Sequence, residues 1–447
     1  MKAFVESRFG LVLLVLIALG ALYGVAHMTR PAPARPPVAQ PRKVAVESVR
    51  TVCPAPRGDK VSVLGTGPTK VGSATVDGRG TLWRKTVKDT GPLVVSGAGG
   101  LEAGHGARVT KGDERGLSGV RCTEPAATTW LVGPGPSAAK VVLHLANADS
   151  APAVAEILLY SGEGTVATDA ATGIVIKPGE HRDIDLKTLA PSATVLAVGV
   201  TTTGGRLAVA ARASLDGRGV DWLPASTPPA TRVVVPGIPA GGGRRDLLVA
   251  APGETDAVVR VQAVTEDGAY AMKGRETVEV PAGSVAVLEL TSGLDGQAAA
   301  LVLTSEVPVV AGVIIAGPGE RQDVAFTAGT APLDLGSTVA DNGKGSKLVL
   351  TALNGPGSVR VQIMPDKGKP PAAFTVDLPA SRTRNVKLKA KGPFAVVVTP
   401  VSGQVYGGRV TAERLKSGLL ITARPLAPAR TWAMLPTLTG SPAVVLP

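Results

Sequence analysis

Val141-Val-Leu-His-Leu145, Asp246-Leu-Leu-Val-Ala250 and Leu348-Val-Leu-Thr-Ala352 are short apolar runs, and each opens a segment with the same internal pattern. Runs of this length, bounded by Gly, Pro and polar residues, read as buried strands. A second strand follows in each segment after a polar turn: Ala155-Glu-Ile-Leu-Leu-Tyr160, Val258-Val-Arg-Val-Gln-Ala-Val264 and Val359-Arg-Val-Gln-Ile363. A turn with an alternating strand comes next, over 178–186, 281–290 and 379–388, and a nearly continuous apolar strand follows at 195–200, 300–304 and 394–398. Leu186, Leu290 and Leu388, which end the alternating strands, recur at intervals of about 100 residues, the length of one immunoglobulin-like sandwich. The pattern predicts an all-β chain of tandem immunoglobulin-like β-sandwich modules, with a β-propeller of four-stranded blades as the alternative.

Composition agrees with many short strands joined by tight turns. The 447 residues include 55 Gly and 37 Pro, and the 44% hydrophobic content excludes disorder as a general description. The expected modules are a divergent one at 44–128, then 129–228, 229–332 and a basic last one at 333–447. Trp130, Trp222, Phe326 and Trp432 sit near the seams. In a chain with only 3% aromatic residues they are expected to plug cores or interfaces.

Ahead of the modules, Phe9 to Ala26 is an uncharged apolar run preceded by Lys2 and Arg8 and followed by prolines at 31, 33, 36, 37 and 41. The length suits a membrane-crossing helix, and the prolines suit an extended spacer. The expectation is a cytoplasmic tip at 1–8, a transmembrane anchor at 9–28 and a tether at 29–43, with the bulk of the chain extracytoplasmic. The alternative is a cleaved secretory signal, for which Gly24-Val25-Ala26 is a passable site.

In an exported chain the two cysteines, Cys53 and Cys122, are most simply a disulfide. A metal pair lacks nearby His partners, with His105 the one candidate in the interval. His144 reads as a satisfied sandwich residue, and His181-Arg-Asp183 as a solvated edge. No G-x-S-x-G, HExxH, P-loop or calcium-loop pattern occurs, so neither cofactor nor metal is expected. Paired carboxylates for glycoside hydrolysis remain the enzymatic alternative, although four Trp and four Tyr are few for a sugar cleft.

The formal net charge of +12 is concentrated late: from Leu333 onward fifteen basic residues face five acidic ones. Outside the membrane, with few stacking aromatics, nucleic acid is not an expected partner. Anionic cell-wall polymer and lipid headgroups are. Strand alternation puts Lys387, Lys389 and Lys391 on one face, just after Arg382 and Arg384, as a candidate anionic-polymer strip. The other reading is a solvated edge strand whose lysines prevent edge-to-edge association.

Cys53-Pro54, Cys122-Thr-Glu-Pro125 and Trp130-Leu-Val-Gly133, followed by the repeats, resemble an actinobacterial family of membrane-anchored secreted proteins catalogued as a domain of unknown function. The resemblance covers nearly the whole chain after the anchor. It implies a place in the cell envelope and, through the sugar-nucleotide and glycosyltransferase genes near its relatives, a link to envelope glycans. It lends no catalytic residue. The resulting expectation is a non-enzymatic scaffold or binding protein contacting envelope proteins or wall polymer. Its alternatives are a polysaccharide-modifying enzyme and an electrostatic binder of anionic polymer.

Overall fold

The computed structural model describes residues 8–29, 42–78, 80–319, 322–416 and 418–435. The expected tether over 29–43, the tip over 1–8 and the end of the last module fall largely outside these residues. The chain divides into two units, 1–44 with 434–447, and 45–433. In the first, Arg8–Met28 is an α-helix of 21 residues, about 30 Å long at 1.5 Å per residue. Its apolar side chains point outward on every side, Leu11, Leu16, Leu22 and Val25 among them. Such a helix is compatible with a membrane anchor or a signal sequence.

Residues 45–433 hold four successive β modules, whose first strands are Ser48–Cys53, Thr128–Pro134, Ala230–Ile238 and Ser337–Asn342. Each module is two antiparallel sheets. Numbering strands within a module, and leaving uncounted the short Ile174–Ile176 and Thr277–Val280 that also pair with strand three in the second and third modules, one sheet runs 1-6-3-4 and the other 5-2-7-8, and this order recurs in all four, the divergent first included. In the third module strands six and seven are one bent strand, Ala299–Ala316; in the fourth, Ser346–Pro365 and Phe394–Leu415 each serve both sheets. The bend in Ser346–Pro365 falls at Asn354 and Gly355, both at positive φ (60° and 158°), beside a register shift between Leu353 and Ser358.

The strands expected from the repeats form, because each has the alternation that a half-buried sheet requires. Their order corrects the finer expectation. An immunoglobulin sandwich groups strands 1-2-5-4 against 3-6-7, whereas here strand one pairs with six and strand two with seven. The immunoglobulin-like assignment is therefore not confirmed. Nor is a closed propeller or barrel found among the described residues, since each repeat is a two-sheet unit.

The modules are not beads on a string. Phe326 of the third module is buried in the core of the second, and Ile421 and Ala423 of the fourth join the core of the third. Trp130 packs with Tyr160 against Leu248 and Val310 across the second seam, and Trp222 with Val120 and Ala210 across the first. Trp432 departs from expectation: it is 42% exposed.

The eighth strands, Gly116–Arg121, Gly219–Leu223, Val324–Ala328 and Gly418–Pro425, lie side by side around a central seam, each against two others. Two buried carboxylates stitch them. Asp323 Oδ2 accepts from Leu117 N at 3.0 Å and Ile421 N at 2.7 Å, while Oδ1 accepts from Val324 N at 2.9 Å. Asp221 Oδ1 accepts from Gly119 N and Trp222 N, both at 2.9 Å. Burial pushes Asp323 up to about 7 and Asp221 up to about 8 against these hydrogen bonds. Gly219, at φ 109°, lets the seam close: a Cβ there would overlap Asp323 Oδ1.

Replacing Asp323 by Ala leaves three strand-edge N–H groups without their acceptor. It is expected to lower unfolding stability by about 3 kcal/mol. Asp323→Asn, which keeps one carbonyl oxygen, should lose less. Urea denaturation of the three proteins checks the ranking.

Candidate functional site

The cationic strip lies on the fifth strand of the fourth module, Arg382–Lys387, which pairs with residues 347–352. Leu388 is buried and Val386 and Ala390 pack on the module core, so burial alternates as expected, but the strand whose pleat was to align the lysines stops at Lys387. Lys389 and Lys391 follow it in a loop. All five cations are exposed, but they do not share one face. Directly paired residues point the same way: Arg382 and Arg384 oppose Ala352 and Leu350, on the core side, whereas Lys387 opposes Lys347 on the other. The strand's outer edge is also engaged. Thr383 N donates to Thr265 O at 2.9 Å, Thr383 Oγ1 to Val264 O at 2.6 Å, and Arg382 Nη1 to Glu266 O at 2.6 Å. These bonds fasten the third and fourth modules together.

Cys53 and Cys122 form a disulfide inside the first module's core, with Val61 and Leu101. His105, fully buried near this core, has Nδ1 2.8 Å from Asp59 Oδ2 and Nε2 3.0 Å from Pro54 O. It is a structural histidine with both ring nitrogens engaged. Among the described residues no cluster of His, Cys, Asp and Glu has a metal-binding arrangement.

A cleft of about 580 Å³ lies between the first and second modules. Its floor is the outward face of the second module's 5-2-7-8 sheet. There His144 stands directly opposite Asp183 and Arg212 directly opposite Trp222. Period-two alternation places these residues together, because Val141, Leu143 and Leu145 of the same strand take the core side.

His144 Nδ1 is 2.7 Å from Asp183 Oδ1, and Arg57 from the first module reaches Asp183 Oδ2 at 3.1 Å. Glu114, also from the first module, forms a close bidentate pair with Arg212. Burial lowers the His144 pKa and the Asp183 carboxylate opposes the shift, while Arg57 and Arg212 add to it. The Arg212 hydrogen bond holds Glu114 below the usual carboxylate range.

The sequence reading treated His144 and 181–183 as separate, unremarkable positions, and the register of two paired strands joins them. The cross-module partners, Arg57 and Glu114, have no signature in sequence. Chemically, the Asp183–His144 pair is an oriented imidazole, the supporting half of a nucleophilic relay. Ser118 and Ser214 line the same cleft, but among the described residues His144 Nε2 has no hydrogen-bond partner. What the cleft offers is charged and polar donors and acceptors interspersed with Val142, Val220 and Trp222, a surface suited to holding a polar ligand.

Because Asp183 supports the charged imidazole, Asp183→Asn should drop the His144 pKa further below its already depressed value. An NMR titration of the His144 ring in both proteins checks this; a His144 pKa above 6.5 in the parent would contradict the burial argument.

A search of the curated proteins finds no match to the chain. The model of a family of unknown function, DUF5719, matches residues 84–389, from the fifth strand of the first module to the end of the cationic strand of the fourth. The match covers the second and third modules and parts of the first and fourth, more than half of the chain, and on this evidence the chain belongs to the DUF5719 family.

Proposed function

We propose that the protein is a membrane-tethered extracytoplasmic, non-enzymatic scaffold or binding protein of the cell envelope, serving as a contact surface. The observation that carries this reading is the joint presence of an all-round apolar helix, Arg8–Met28, and a disulfide in the β body. The helix matches the thickness of a bilayer's hydrocarbon core, and structural disulfides persist outside reducing compartments. The resemblance of the Cys53, Cys122 and Trp130 motifs supports a role in wall-polysaccharide assembly, with the cleft between the first two modules as the contact region for a polar partner. A reporter fused to the carboxyl end should be active only outside the cytoplasm, and Cys53 and Cys122 should map as one disulfide-linked peptide. Cytosolic reporter activity together with two free thiols would overturn the reading. Cross-linked capture from envelope extract then identifies the partner.

A second reading is electrostatic attachment to anionic wall polymer, supported by the exposure of Arg382, Arg384, Lys387, Lys389 and Lys391. Binding to purified anionic wall polymer should weaken steeply with salt, and further on replacing Lys387, Lys389 and Lys391 by Ala. Binding indifferent to both would remove this reading.

A further inference from the structure

The last guanidiniums of the chain converge on a cavity that the cationic strip does not touch. It has a volume of about 260 Å³ and lies where the first, second and fourth modules meet, lined by Arg121, Arg424 and Arg430 with Ser226, Thr128 and Trp222. Thr128 and Glu124, at its wall, are exposed.

The three arginines are not equally occupied. Arg121 has two of its three nitrogens engaged: Nε and Nη2 donate to Glu102 at 2.7 and 2.6 Å, and Nη2 also reaches Pro428 O at 2.9 Å. Arg424, with a side chain only 8% exposed, spends Nη2 on Asp341. Its Nη1 is buried without a hydrogen-bond partner among the described residues. Arg430 spends Nε on Glu124 at 2.9 Å, and its buried Nη1, 3.9 Å from Glu102 Oε1, also makes no hydrogen bond. A buried guanidinium donor left unpaired is costly, and a cavity beside it has room for the missing partner.

The charges around the cavity do not cancel. Arg409, which shares Asp341 with Arg424, brings the cations to four. Three carboxylates, Glu102, Glu124 and Asp341, face them. The two seam carboxylates add less than their full charge to that side, because burial pushes Asp221 up to about 8 and Asp323 up to about 7. The guanidiniums outnumber the carboxylates paired with them, beside two unpartnered Nη1 donors, one on Arg424 and one on Arg430, each of which can donate to an oxygen of a shared anion.

We propose that this cavity binds a compact oxyanion, a phosphate or carboxylate group, between Arg424 and Arg430. The volume is below that of sites which enclose a drug-sized ligand. It therefore takes a small anion or the anionic end of a larger molecule, not a length of polymer. The site goes beyond the envelope-scaffold reading and does not depend on it.

The test uses the full chain in detergent, titrated with inorganic phosphate and, separately, with acetate at constant ionic strength, read by calorimetry and by thermal unfolding. One of the two anions should bind at a single saturable site and raise the melting temperature; whichever binds more tightly names the group. Arg430→Gln should weaken that binding at least tenfold. Glu124→Gln should act in the opposite direction and tighten it at least threefold, because it removes the carboxylate charge that competes with the anion for Arg430. Glu124 is about half exposed, so this second variant keeps the test decisive if the arginine variant fails to fold. Absence of saturable binding by either anion, or a Glu124→Gln protein with unchanged or weaker affinity, would overturn the proposal.

Discussion

A strand at the edge of a sheet carries a row of N–H groups that must find acceptors once it is buried. Strand eight is the edge of its sheet in all four modules, and all four of these edges meet at the centre of the body. Asp221 and Asp323 supply acceptors there. Between them they cap Leu117 and Gly119 of the first module's edge and Ile421 of the fourth's. Each carboxylate also bonds the strand to which it belongs. The association of the modules depends on this satisfaction of edges, because apolar packing alone would leave those amides without partners. The burial that makes the carboxylates effective also makes them costly to ionise, which is why both have raised pKa values.

Once the edges are joined, the rest of the architecture follows. The eighth strands draw large side chains across the seams, so Phe326 completes a neighbouring core and Trp222 closes the first interface. Outward faces that would be solvated in an isolated module come to face one another. His144 thereby gains Arg57 and Glu114 as cleft neighbours, and Arg424 comes to lie beside Arg430 and the linker before the second module. The polar cleft and the arginine-lined cavity are thus both products of module association and do not belong to any one module.

Much of the strand content was legible in sequence. Val141–Leu145, Asp246–Ala250 and Leu348–Ala352 lie within observed strands because a short apolar run between turns has few other stable conformations. The apolar helix and the cysteine pair were legible for the same local reasons, one of length and the other of compartment. The immunoglobulin strand order was not, since module length and strand count leave the pairing open and the chain pairs strand one with six. The cationic segment shows alternating burial over 386–390, but the strand itself ends at Lys387. Its attachment to the third module through Thr383 was invisible, because a threonine in an exposed-looking strand has no mark of the partner it will bond.

What the sequence by itself determined is periodicity: which residues of each strand take the core side, where turns interrupt, and that one apolar segment stands apart from the β body. Alternation is a property of the local backbone, so it survives without knowledge of neighbours. The tertiary structure decided which edges meet, and with them the roles of Asp221, Asp323, Arg424 and Arg430. These are polar residues in strands and loops whose partners lie many tens to hundreds of residues away. Their burial is set by module docking, and no spacing along the chain encodes it.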